Sequence, residues 1–221
     1  MPIKPFLLLS GLLLTPVVAL SKPVAPWVGA TLNGDACSGG GQGYGPFDYL
    51  ERGRFKNELQ LVEMAHFTSG IENLSNGNEG GSIEGNLNYT LRAWPNHPRA
   101  LLSVIRLQLN INKKLSKGPL ETPPECYLQR AIYFSPDDTS SYSLYGYYLK
   151  QLGRLEDAAK YYEKAVKLSP KDAKIAYSFS LLLIDLKRYE EAVKYAKIAY
   201  SNPRAPQKLK QLLKSQGVWA E

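Results

Sequence analysis

Among 221 residues there are only two cysteines, two histidines and two methionines. So few ligating side chains exclude a zinc-finger array and a disulfide-dense miniprotein. No HExxH occurs, and no glycine-rich loop opens a phosphate-binding helix. The glycines at 39–41, 43 and 45 fail the GxGxxG count at Pro46, and no strand pattern precedes them. His66 and His97 stand about thirty residues apart without a metal-ligand set around them, so neither a metal nor a cofactor is expected. What remains is 44% hydrophobic and 21% charged. That balance supplies a real core and is not the composition of a disordered chain.

Charge is also scarce at the start. Lys4 is the only ionic side chain before an apolar run from Phe6 to Leu20. The run has the length of a signal-peptide core and falls short of the roughly 20 residues that a membrane helix needs. Pro16 inside it weakens an anchor further. Ala19 and Ser21 form a small-residue pair, so residues 1–21 read as a signal peptide cut near Ser21–Lys22, with cleavage after Ala19 as the alternative. No stable membrane insertion is expected after removal. An exported chain meets an oxidising compartment, the bacterial periplasm by this reading with secretion as the alternative, where two cysteines tend to pair. A Cys37–Cys126 disulfide would staple a Gly-rich arm to the helical body; two unrelated thiols are the alternative.

Internal repetition is the clearest positive signal. Tyr142, Tyr145, Gly146 and Leu149 place large residues around a small one at helical spacing. Gly153 breaks that helix, Ala158, Tyr162 and Ala165 follow, and Pro170 ends the unit. Thirty-four residues on, the pattern returns as Ala176, Phe179, Ser180, Leu183, Ala192, Ala196 and Ala199. Ser135-Pro136-Asp137-Asp138 and Ser169-Pro170-Lys171-Asp172 are the same turn written twice. Gly146, Ser180, Ala158 and Ala192 are small where two helices cross, and Tyr142, Tyr145 and Tyr162 belong to the core. On these residues the chain resembles the tetratricopeptide repeat family, whose unit is a helix–turn–helix of that period.

The predicted fold is therefore all-α, a tetratricopeptide-like solenoid of three to four hairpins with an irregular N-terminal arm. Residues 22–54 read as an extended, flexible arm, and 55–98 as degenerate helices, the first near Glu51 to Ala65 and a short one capped by Thr68. Three repeats follow at 99–136, 139–170 and 173–204, the first carrying Leu102, Ile105 and Leu109 on its apolar stripe. Residues 205–221 read as a capping helix opened by Pro206.

The resemblance implies that the first helices of the repeats line a concave groove. Tyr147, Lys150, Tyr177, Leu181, Ile184 and Asp185 fall on that face, with Arg106, Asn112 and Lys113 on the helix before. An exported protein-protein adaptor is the expected function, holding a peptide or helix of another protein by Tyr and Arg side chains of the kind that dominate binding. Two readings of other classes stand beside it. One is a small hydrolase or transferase using His66 or His97 with Asp48 and the Tyr44–Tyr49 segment. The other is a binder of anionic envelope surfaces, because Thr139 to Glu221 carries 15 basic and 8 acidic residues while Lys22 to Asp138 carries 11 and 12. Nucleic acid is not an expected partner for an exported chain.

Overall fold

The computed structural model describes residues 24–77, 81–114 and 120–219, with the side chains of 112–114 excluded. The signal segment read at 1–21 lies outside the described residues. Within them the chain is all-helical: α1 Lys56–His66, α2 Ser69–Glu72, α3 Ile83–Ala93, α4 Pro98–Lys114, α5 Pro124–Phe134, α6 Thr139–Gln151, α7 Leu155–Leu168, α8 Ala173–Asp185, α9 Tyr189–Ala199 and α10 Lys208–Ser215. Helices α6 and α7 form one tightly packed pair and α8 and α9 another, with α7 joined to α8.

The two pairs repeat one another in physical detail. Asp138 caps α6 by accepting from the Ser140 N–H at 3.1 Å, and Asp172 caps α8 by accepting from Lys174 and Ile175 at 2.8 and 3.0 Å. Between the helices of each pair, Gly153 and Lys187 take left-handed conformations, φ 76° and 61°. The turn demands that conformation, and only the first repeat meets it with glycine. Arg154 then pairs with Asp157, and Arg188 with Glu191, one turn into the second helix. At the helix crossing, a Cβ at Gly146 would sit 2.7 Å from Tyr162 Cδ2 and 3.2 Å from the Ala158 carbonyl oxygen. Ser180 holds the same place in the next repeat, where the smaller Ala196 stands 34 residues after Tyr162, and donates to the Ala192 carbonyl at 2.6 Å. Tyr142, Tyr145 and Tyr162 are buried, as their spacing predicted.

Four boundaries differ from the sequence reading. Helix α1 begins at Lys56, because Tyr49–Glu51 forms a separate 3-10 turn capped by the Asp48 carboxylate. Thr68 precedes α2 without a side-chain cap, whereas Ser82 does cap α3 through the Gly85 N–H. Helix α10 starts two residues beyond Pro206. The stripe of α4 is rotated, so that Leu101, Val104 and Ile105 are buried while Leu102 is only half-buried.

The arm is not loose. Cys37 and Cys126 form a disulfide, with 5.4 Å between their Cα atoms. The Arg130 guanidinium, 2% exposed, donates to the Ala25 carbonyl at 2.7 Å, the Leu91 carbonyl at 2.7 Å and Gln42 Oε1 at 2.9 Å, and lies over the Trp27 ring. Burial pulls its pKa down to about 10, so it remains a cation at neutral pH. Arg92 donates to the Gly41 carbonyl at 2.6 Å, and Gln129 donates to that of Ala30 at 2.8 Å. Gly41 thus presents its carbonyl to Arg92, and Gly40 presents its own to the Trp27 indole N–H, rather than forming a hinge. Arg130→Lys is expected to cost about 1–3 kcal/mol, since an ammonium cannot span acceptors that the planar fork satisfies together and buried carbonyls are left unpaired. A urea melt with unchanged slope and a lowered midpoint would record the loss; an unchanged midpoint would mean that the arm is held elsewhere.

Candidate functional site

Helices α4, α6 and α8 lie side by side, each the first helix of a hairpin. Their N-terminal halves enclose an open cavity of about 400 Å³. Its floor is apolar, from Leu102, Leu144 and Ile175, and its rim polar, from Arg99, Ser143 and Lys174. These rim and floor residues escaped the sequence reading, which looked for aromatics and large charges. The helical period was the available signal, because one turn further along each helix stand the residues that were named: Arg106 after Leu102, Tyr147 after Ser143 and Tyr177 after Lys174.

Their environments differ. Arg106 is exposed. Tyr147, Tyr177, Leu181 and Ile184 are half-buried against the core, so each shares its surface between packing and the groove. Tyr177 also lines a 270 Å³ pocket with Asn202, Arg204 and Pro206, beside the α9–α10 connection, and burial pushes its phenol up from the ordinary value. Lys150 Nζ meets Asp185 Oδ2 at 2.8 Å, tying α6 to α8. Half-exposed and open to salt, that pair contributes little stability, and it sets a fixed dipole on the groove wall. Asn112 and Lys113 belong to α4, with side chains outside the described residues.

Neither histidine is arranged for catalysis with Asp48. His97 has no exposed surface: its Nδ1 accepts from the Ala100 N–H at 3.1 Å, which directs Nε2–H to Glu63 Oε1 at 3.0 Å. Desolvation holds the ring below its usual pKa, and the bond to His97 is the main cause of a lowered Glu63. Arg99 joins Glu63 to Glu72, completing a bridge from α1 through α4 to α2. His66 stacks on Tyr89 at 3.8 Å and meets Asn86 through Nδ1. Asp48 is occupied by the Leu50 N–H and the Asn96 amide. Among the described residues no three His, Cys, Asp or Glu side chains gather as a metal site, and no helix is long and apolar enough to cross a membrane.

Stacked helical hairpins whose first helices share an open, mixed apolar and polar face define a repeat scaffold for interaction with other molecules. Residues 146–208 match the tetratricopeptide repeat family, and this stretch, from mid-α6 to the start of α10, consists of tetratricopeptide repeats. Proteins built from such repeats generally bind other proteins. Among solved structures the chain is similar to "Crystal structure of MamA", at 17% identity and TM-score 0.45 over 76% of this chain and 85% of that one. It is likewise similar to "MamA 41-end from Desulfovibrio magneticus RS-1", at 18% identity and TM-score 0.43 over 76% and 90% of the two chains. No curated protein matches.

Proposed function

We propose that the protein is an exported adaptor or assembly factor that holds a peptide or helix of another protein along the α4–α6–α8 face. The observation that carries this reading is the continuity of one open cavity with half-buried Tyr and Leu and exposed Arg side chains on three neighbouring first helices. Apolar floor and polar rim suit an amphipathic segment, and no covalent chemistry is needed. Export is supported by the apolar run at 6–20 and by the cysteine pair. N-terminal sequencing of the mature protein should begin near Lys22.

The groove is tested by affinity capture from the native envelope. Tyr147→Ala with Tyr177→Ala should abolish recovery of the partner, because rigid aromatic anchors carry a large share of binding energy. Both rings also pack, so a stability loss of about 1–3 kcal/mol is expected with it. Arg106→Glu, on an exposed side chain, should weaken capture without changing the thermal melt. His66→Ala should leave capture intact. A groove variant that binds normally, with a folded but inactive His66→Ala, would replace the adaptor reading with the enzymatic one.

A further inference from the structure

Among the described residues the buried ionisable side chains find partners for their polar atoms, with one exception. Arg130 reaches three acceptors, Asp138 accepts from Ser140 and Ser141, and His97 donates to Glu63. Glu125, only 4% exposed, accepts from the Leu32 N–H through Oε1 at 3.0 Å, while its Oε2 accepts nothing. The Tyr148 phenol, an uncharged donor, interacts with the same carboxylate. Burial first, and then the Glu125 charge, push that phenol up, so Tyr148 supplies no counter-charge. A carboxylate withdrawn from water without a cation is costly enough to mark a missing partner.

Space for such a partner is present. Glu125 forms part of the wall of a cavity of about 400 Å³ beneath the Thr31–Asp35 turn of the arm. Leu32, Leu120, Pro123 and Leu152 give the wall its apolar part, beside Thr31, Asn33 and Gln108, and among the described residues no Lys, Arg or His contributes to it. Asp35 stands exposed at the rim, with no ion pair among the described residues. The cavity shares no lining residue with the groove on α4, α6 and α8.

One carboxylate within the wall, another at the rim and hydrocarbon between them complement an alkyl chain that ends in a cation. We propose that this cavity binds an alkylammonium or alkylguanidinium group, whose charge pairs with Glu125 and whose stem packs on Leu32, Leu120 and Leu152. The chemistry is that of a lysine or arginine side chain of a partner, and equally that of a free aliphatic amine. The disulfide beside it ties down the arm that forms one wall.

The disulfide-bonded protein would be titrated calorimetrically with n-butylguanidinium, n-butylammonium, n-butanol and a terminally blocked Gly-Arg-Gly peptide. Both cations should bind at one saturable site and butanol should not. Glu125→Gln keeps an oxygen for the Leu32 N–H and should weaken the cations about tenfold or more. Should that variant melt early, Asp35→Asn, at an exposed rim position, should still weaken them about threefold. Binding of the peptide assigns the site to a partner's side chain; binding of the free cations alone assigns it to a small amine. Equal binding of butanol, no binding of either cation, or cation affinity unchanged in both variants would overturn the proposal.

Discussion

Gly146→Leu should lower stability by about 3 kcal/mol, at the top of the range for overpacked cores, and with it the melting temperature by about 6–12 °C. The reason is local and unforgiving. Even a Cβ at this position would stand 2.7 Å from Tyr162 and 3.2 Å from the Ala158 carbonyl, and the carbonyl belongs to helix backbone that cannot yield. The neighbouring repeat shows which pairs of residues fit. There serine occupies the crossing and alanine the position that corresponds to Tyr162, and the Ser180 hydroxyl bonds the Ala192 carbonyl. Gly146→Ser should therefore destabilise the native protein, yet become neutral or stabilising in a Tyr162→Ala background, where the new hydroxyl can reach the Ala158 carbonyl. A double-mutant cycle read by denaturant melts measures this coupling. Additive effects would show that the two repeats do not exchange crossing pairs.

Removing the Cys37–Cys126 bridge should have the largest effect of any change in the arm. The bridge closes a loop across a sequence separation of 89 residues. In the chain-entropy treatment a loop of that size contributes about 4–5 kcal/mol. Cys37→Ala with Cys126→Ala, or reduction of the native protein, should lower the melt accordingly. The loss should also be uneven. Backbone amides of the arm should exchange with solvent much faster, whereas those of α7 to α9, further from the bridge, should keep most of their protection. Uniform loss across all helices would mean that the arm is integral to the repeat core. Free thiols in the protein isolated without reductant would remove the disulfide altogether.

Local pattern and long-range contact divide this protein cleanly. The repeat was legible because its determinants recur within one unit: small residues at crossings, an aspartate before α6 and before α8, and a turn four residues long written twice. Each acts over a few residues, so a period of 34 survives without knowledge of the partner helix. The cysteine pair was legible for a different reason, since two is the least number that can form a bridge. The family resemblance led to Arg106 of α4, Tyr147 and Lys150 of α6, and Tyr177 and Asp185 of α8 as groove residues, and the period of 3.6 residues relates positions only within each helix. How much of each remains free was decided only by tertiary packing, which half-buries the two tyrosines and joins Lys150 to Asp185. The same holds for the groups with the strongest environments. Arg130 meets Ala25 across 105 positions, Glu125 meets Leu32 across 93, and His97 meets Glu63 across 34. Nothing near these residues in the chain distinguishes them from an exposed arginine, glutamate or histidine. Burial makes the difference, because withdrawing a charge from water forces a partner on it, and that partner is chosen by the fold.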